Sequence, residues 1–101
     1  MSWHTSFRTG YSKVLNIYRV TATSTSKTLA TLTVTTDPRA KAYVITQNDP
    51  TQTVYFNNGT ASTSTGRLNP DGESLPATAN LINVLEFYAA TDAELTIREF
   101  G

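Results

Sequence analysis

The segment KAYVITQN, residues 41–48, decides the fold class of this chain. Its central AYVI run combines aromatic and β-branched residues, which favour strands over helices. A turn signal stands on each side, because Asp37-Pro38 precedes the segment and Asp49-Pro50 follows it. An apolar run of this length between two turn signals predicts a β-strand.

The same alternation of short apolar runs and turns continues along the rest of the chain. Asn57-Asn58-Gly59 and Asn69-Pro70-Asp71-Gly72 are further turn signals, rich in residues that tolerate or preset turn geometry. Threonine occurs 19 times and serine 8 times, and threonine fits a pleated, half-exposed surface. About seven short strands are predicted in this way. They cover residues 14–22, 28–34, 41–48, 51–57, 60–66 (strand or ordered loop), 84–90 and 93–100.

Residues 77–90 fit two interpretations. Their apolar residues recur at helical spacing from Leu81 to Tyr88, but VLEFY at 84–88 also matches a strand. A short apolar run cannot be assigned by its period alone. The strand rhythm of the rest of the chain favours a strand over 84–90.

Short strands separated by turns predict an all-β domain, either an antiparallel β-sandwich or a jelly-roll-like barrel. A chain of 101 residues fits one compact domain. We therefore expect the β-sandwich domain to occupy residues 14–101 and an N-terminal arm to occupy residues 1–13.

The composition excludes several kinds of site. The chain has no cysteine, so it forms neither disulfides nor thiolate metal sites, which is compatible with assembly in a reducing cytoplasm. No basic stretch and apolar core follow Met1, so no signal peptide is visible. No apolar run approaches the ~20 residues that span a bilayer, and we expect no membrane partner.

The net charge is zero, but bases and acids are separated along the chain. Before Asp37 every charged residue is basic, whereas after Leu68 every charged residue except Arg98 is acidic. Two interpretations stay open: the fold brings the halves together and neutralises them, or a basic N-terminal face docks on an acidic neighbour. Neither pattern resembles the clustered basic excess of a nucleic-acid-binding protein.

The N-terminal arm combines aromatic and basic residues. Three aromatic side chains near a chain end must be buried, either on the domain's own core or in a partner, where aromatics and arginine act as anchors. The candidate partner-binding residues are Trp3, Phe7, Arg8, Tyr11 and Lys13.

The parts needed for catalysis are scarce, and we expect a protein that is not an enzyme and holds no cofactor or metal. His4 is the only histidine and lies in the terminal arm. Without cysteine or a second histidine, zinc sites and Cys-His catalysis lack ligands and bases. No Gly-x-Ser-x-Gly elbow or phosphate-binding glycine loop occurs. Solvated surface charge is the simpler account of the carboxylates at Asp71, Glu73, Glu86 and Asp92.

Aromatic residues in the predicted strands have two interpretations. They are either core residues or the lining of a sugar-binding face, and core is the commoner role of strand aromatics. The residues concerned are Tyr43, Tyr55, Phe56, Phe87 and Tyr88. A carbohydrate-binding adhesion module is therefore a hypothesis of another class.

From Arg39 onward the order of motifs becomes specific. The motifs are RAKAYVITQN at 39–48, TVYF at 53–56, GTAS at 59–62, TGRL at 65–68, PDGE at 70–73 and AELTIRE at 93–99. In this order they resemble the small β-sandwich virion proteins encoded in the structural gene clusters of tailed bacteriophages. The resemblance covers residues 39–99.

The resemblance implies a structural role in a virion and carries over no catalytic residue. Several such proteins decorate or cement capsids, commonly as trimers, while others belong to the tail. The expected function is thus capsid decoration on the outer capsid surface, after assembly in the host cytoplasm, with a tail, baseplate or neck component as the alternative. The expected partners are the major capsid protein or other virion proteins, and further copies of the chain in a homo-oligomer, for which a trimer is favoured.

Two short motifs also have a physical interpretation. Gln47 and Asn48 end a strand, and their amides are suited to bond the exposed backbone of the next turn. Gly72 reverses the chain in a conformation closed to most residues.

Overall fold

The computed structural model describes residues 13–70 and 72–101, which form two four-stranded sheets. The strands are β1 (Val14–Ala22), β2 (Lys27–Thr28), β3 (Ala42–Gln47), β4 (Val54–Asn58), β5 (Gly66–Leu68), β6 (Ser74–Thr78), β7 (Leu85–Tyr88) and β8 (Ala93–Phe100), with one short helix, α1 (Ala79–Ile82). No helix in the described part of the chain is long and apolar enough to cross a membrane.

The first sheet has the strand order β1-β8-β3-β6, and the second has the order β2-β7-β4-β5. Every pair of neighbouring strands is antiparallel. The two sheets pack face to face, so the fold is an antiparallel β-sandwich and not a closed barrel. The all-β prediction is confirmed.

The core lies between the sheets and follows the two-residue period of the strands. In β3 the inward side chains include Tyr43 and Ile45, and in β8 they include Leu95 and Ile97; all four are almost fully buried. Phe87 of β7 faces them from the second sheet and is also fully buried. Burial of these side chains away from water is the main force that holds the sheets together.

The first and last strands along the chain match the sequence prediction, since β1 covers residues 14–22 and β8 spans residues 93–100. β3 and β4 lie within two or three residues of their predicted positions. The predicted strand at 84–90 is shorter, because α1 and a turn at Asn83 precede it. Because α1 ends at Ile82, the helical spacing that continues to Tyr88 does not reflect a helix.

The predicted strand at 28–34 is wrong. Only Lys27–Thr28 pairs as β2, and the chain then turns at once. Leu29 and Val34 are buried, and the N–H of Val34 donates to the carbonyl of Leu29 at 2.9 Å. Thr33 adopts a positive φ of 67°, which is unusual for a β-branched residue. The alternating threonines of residues 28–34 resemble a strand. The segment leaves the ladder because the chain crosses here from the second sheet, which contains β2, to the first sheet, which contains β3.

The sequence analysis missed β6, the edge strand Ser74–Thr78. Pro76 lies at its centre and argues against a strand, since proline cannot donate to a ladder. An edge strand tolerates proline because its outer side needs no partner. Pairing with β3 on one side only thus explains how this segment becomes a strand.

Alanine substitutions of two adjacent aromatic residues of β7 test which of their side chains faces the core. Phe87→Ala should lower the free energy of unfolding by about 3–5 kcal/mol, because it opens a cavity between the sheets. Tyr88→Ala, the control, removes a half-buried ring from the outer face and should cost about 1 kcal/mol or less. Urea denaturation followed by circular dichroism measures both, and equal costs would contradict the observed orientation of β7.

Candidate attachment surface

Lys13 is the one candidate partner-binding residue in the described part of the chain. It is exposed, and its carbonyl accepts a hydrogen bond from the N–H of Gly101 at 3.1 Å. The arm therefore joins the sandwich where β1 begins and β8 ends. The other four candidates lie outside the described residues: Trp3, Phe7, Arg8 and Tyr11.

The end of the sandwich that carries Lys13 is called the arm end here. β3 begins at this end, and the exposed Lys41 immediately precedes it. Arg39 is exposed in the loop that leads to β3. Two of the exposed large apolar residues, Val14 and Val84, also lie at this end, each 46% exposed. The arm end thus combines basic charge with exposed apolar surface.

The opposite end of the sandwich, called the acidic end, carries carboxylates. Its turns contain Asp49, Glu73 and Asp92, and Glu94 follows at the start of β8. Three of these four residues are exposed, and the described part of these turns contains no lysine or arginine. The charge therefore changes sign along the direction of the strands.

This arrangement bears on the first interpretation of the charge distribution, in which the two halves of the chain neutralise each other. The fold does bring the halves together, because β1 pairs with β8 and β2 pairs with β7. Yet the only ion pair within residues 13–70 and 72–101 joins Arg39 to Asp37, two residues away, at 2.8 Å. The halves are adjacent but not neutralised pair by pair, which leaves a basic end next to the arm.

A buried carboxylate lies in the core near the arm end. The side chain of Glu99 is 0% exposed. Its Oε1 accepts hydrogen bonds from Nδ2 of Asn16 at 2.8 Å and from the hydroxyl of Tyr18 at 3.1 Å. Its Oε2 accepts from the hydroxyl of Tyr43 at 2.8 Å and from the N–H of Asp37 at 2.8 Å. Both oxygens are thus satisfied by neutral donors.

The ionised form of Glu99 is stabilised by these donors. Burial alone would raise the pKa of Glu99, but the hydrogen bonds from Asn16, Asp37 and the two tyrosines together lower it below its ordinary value of 4.5. Burial and the hydrogen bond to this carboxylate raise the pKa of Tyr43 and Tyr18. The tyrosines therefore remain protonated donors, and the glutamate remains a charged acceptor.

The Glu99 cluster holds the loop between β2 and β3 against the first sheet. The N–H of Asp37 is bound by Glu99, and the hydroxyl of Tyr18 also lies 3.0 Å from the carbonyl of Thr35. The single proton of that hydroxyl is shared between two acceptors. Because the loop is fixed at Thr35 and Asp37, the exposed Arg39 has a defined place at the arm end.

Asp37 and Arg39 form a local ion pair on this loop. The side-chain hydrogen bonds of Arg39, its backbone N–H and its charge lower the pKa of Asp37 to about 2. Asp37 is thus ionised at neutral and mildly acidic pH. Because the Arg39 side chain is 70% exposed to solvent, the pair positions Arg39 rather than adding much stability.

The strand aromatics divide between core and surface. Tyr43 and Phe87 are 1% and 0% exposed, so they cannot line a sugar-binding face. Phe56 packs against the core and covers Gly66 of β5, where an added Cβ would lie 2.6 Å from its ring. Tyr55 and Tyr88 pair on the outer face of the second sheet, with ring centroids 6.0 Å apart.

Gln47 and Gly72 have the physical roles expected of them, whereas the Asn48 side chain bonds β8 and not the backbone of the next turn. The Gln47 amide bonds the N–H of Asp49 and the carbonyl of Gln52, so it closes the turn that follows β3. Asn48 reaches Thr96 and Glu94 of β8. In the next turn, Glu73 accepts from the N–H of Asn69 at 2.8 Å, and Gly72 has a φ of 85°.

The sequence analysis missed the buried role of Glu99. A signal was present, because Glu99 lies two residues after Ile97 and four after Leu95, on the inward face of the same strand. The hydrogen-bond partners of Glu99 were not predictable, because all four of its donors come from distant parts of the chain. The described residues contain no group of three or more metal-ligating side chains.

Comparisons with known proteins do not assign this chain to a family. The sequence matches no model of a known protein family, no curated protein and no solved structure.

Replacing the buried carboxylate tests its contribution to stability. Glu99→Gln should lower the free energy of unfolding at pH 7 by about 1–3 kcal/mol, because the amide nitrogen cannot accept from the buried donors. Since the pKa of Glu99 is lowered by folding, its stabilisation is present above pH 4.5 and is lost as the pH falls through the folded value. The difference between wild type and variant should therefore shrink in acid.

Urea denaturation at a series of pH values measures this difference. Asp92→Asn is the matched control, because Asp92 is exposed in the turn before β8, and it should change stability by no more than about 0.5 kcal/mol. The free energies of unfolding of wild type and Glu99→Gln should not differ by a constant amount from neutral to acid pH. A constant difference would contradict a charged Glu99.

Proposed function

We propose that this chain is a structural protein of a tailed-phage particle, and that it decorates the outer capsid surface and stabilises the shell. The observation that carries this proposal is the arm end. A basic, aromatic arm enters the sandwich at the end that carries exposed Lys13 and Lys41 and the exposed valines Val14 and Val84. Such an end favours docking, while the acidic end favours solvent.

The sequence resemblance over residues 39–99 supports the same proposal. Its motifs lie in β3, β4, β5 and β8 and in the turns after β3 and before β6, so they run through both sheets. The proposed partner is the major capsid protein or another virion protein. The chain would act without catalysis or cofactor, as a homo-oligomer, and it would be assembled in the host cytoplasm before it joins the capsid. The favoured trimer comes from the resemblance alone.

The arm would supply the attachment energy and the sandwich its rigid support. Trp3, Phe7 and Tyr11 would enter apolar pockets of the capsid, and Arg8 and Lys13 would bind acidic groups beside them. The same arm and support would serve a tail, baseplate or neck protein. Location in a reconstruction of the whole particle distinguishes these positions.

A carbohydrate-binding module is the second candidate, and one surface feature favours it. Tyr88 of β7, Tyr55 of β4 and Arg67 of β5 lie side by side in register on the outer face of the second sheet. Aromatic rings with a neighbouring cation and amides are common in sugar-binding surfaces. A glycan array on which wild-type chain and a Tyr55→Ala variant give the same background signal would remove this candidate.

Deleting residues 1–11 tests the attachment proposal. The shortened chain should lose binding to capsids that lack this protein, because the arm anchors are gone. Its circular dichroism and unfolding midpoint should stay close to wild type, since β1 begins at Val14. Co-sedimentation with capsids measures the binding.

Two point variants separate the arm from surface charge in general. Arg8→Glu should weaken capsid binding by about tenfold or more, as expected when an interface cation is reversed. Arg67→Glu, an exposed charge on the outer face of the second sheet, is the control and should bind like wild type. Full capsid binding by the chain without residues 1–11 would exclude the arm as the attachment element.

A further inference from the structure

The described part of the fold has four sheet edges, and three of them are protected against pairing with another strand. β6 has Pro76 at its centre, which offers no N–H to a neighbour. β2 has only 2 residues and β5 only 3, and very short edge strands offer few backbone groups. These edges carry the usual features that prevent association through β-strands.

The outer edge of β1 lacks these features. β1 is the longest strand, with 9 residues, and contains no proline or lysine. Among residues 13–70 and 72–101 its only ladder is with β8, and no backbone hydrogen bond outside the ladders reaches the segment from Val14 to Ala22. About half of its N–H and C=O groups therefore point away from the fold, because an antiparallel ladder uses alternate residues.

The regular part of β1 is suited to accept a second strand. A register shift lies between Val14 and Asn16, and from Asn16 to Ala22 the pairing with β8 is continuous. On the outer face of this stretch Ile17 is 59% exposed, the most exposed of the large apolar residues in the described part of the chain. Arg19 is also exposed and is the only charged residue of β1.

We propose that β1 pairs with β1 of a second copy, antiparallel about a two-fold axis at Tyr18, to form one eight-stranded sheet across two chains. Strand addition at a free edge is a common mode of protein recognition. The proposal goes beyond capsid attachment, and rests on the proposed function only in that the chain assembles with copies of itself.

The side-chain pattern of β1 favours a second copy in this register. Centring the axis on Tyr18 aligns the whole strand from Val14 to Ala22 with itself. Ile17 then lies opposite Arg19 of the other chain, so that the aliphatic stem of the arginine covers an exposed isoleucine. Centring the axis on Arg19 would place two like charges directly opposite each other, which is destabilising.

The pairing is two-fold, and this contrasts with the trimer implied by the sequence resemblance. A threefold arrangement built by strand addition would have to join β1 to a different edge of the neighbouring chain. The edges available for that purpose are the proline-bearing β6 and the short β2 and β5. The edges of the described fold therefore favour a dimer.

Light scattering of the purified chain without capsids tests the proposal. We expect a mass that rises to twice the 11.0 kDa of one chain as concentration increases, with dimer formed below about 1 mM. Hydrogen exchange at residues 16–22 should slow over the same concentration range, while exchange in β6 should not change. A chain that remains monomeric up to about 1 mM, or that forms a trimer, overturns the proposal.

A charge exchange tests the register. Ile17→Lys brings a cation opposite Arg19 of the other copy twice in the dimer, and should raise the dissociation constant by about tenfold. Adding Arg19→Glu in the same chain replaces both repulsions by attractions and should restore the dimer. Val84→Lys, the control, alters an equally apolar exposed residue away from β1 and should leave the dissociation constant unchanged.

Three results would contradict the pairing of two β1 strands. The first is an Ile17→Lys variant that dimerises like wild type. The second is a double variant, Ile17→Lys with Arg19→Glu, whose dissociation constant stays as high as that of Ile17→Lys alone. The third is a wild-type monomer that dimerises only when residues 1–11 are deleted, because the arm would then occupy the edge itself. Capsid binding is measured in a separate experiment, so the dimer proposal is decided even when the attachment proposal fails.

Discussion

The buried carboxylate of Glu99 is the constraint on which the arrangement of the arm end depends. Removing an ionised group from water costs several kcal/mol unless hydrogen bonds replace the water. Here the replacement comes from Asn16 and Tyr18 of β1, Tyr43 of β3 and the backbone of Asp37. The carboxylate is stable only when two strands and one loop all reach it, so it specifies how β1, β8, β3 and the loop before β3 meet.

This constraint links the interior to the surface that we assign to attachment. The loop held at Asp37 carries Arg39, and β1 held at Asn16 begins next to Lys13. An arm that binds a large particle transmits force to the domain at its root. The hydrogen bonds to Glu99 lie at that root. Because their acceptor is charged, each is stronger than a neutral hydrogen bond, so together they would resist this force. In a dimer formed through β1, the two arm ends would point in opposite directions.

Particular segments explain where the sequence predicted the fold and where it failed. β1 and β8 were predictable because their alternation survives in the sheet, and the turns at Gly59 and Gly72 have glycine at a positive φ, which the turn signals predicted. The segment 28–34 has the same alternation, yet it leaves the ladder because the chain must change sheets there. β6 was missed because Pro76 is compatible with a strand only at an edge, and position in a sheet is not a local property. Of the proposed attachment surface, the sequence analysis named Lys13 as a candidate and noted that every charged residue before Asp37 is basic.

The sequence by itself determined that the chain is all-β, since threonine content, β-branched runs and turn residues act over a few neighbouring residues. It also determined that cysteine chemistry is absent. Only the tertiary structure decided which strands form edges, which aromatics face the core, and that Glu99 lies inside with four donors. These properties depend on residues that meet from distant parts of the chain, such as Asn16 and Glu99, 83 positions apart. A local pattern contains no record of such partners, because the same alternation fits a paired strand, an edge and a crossing loop.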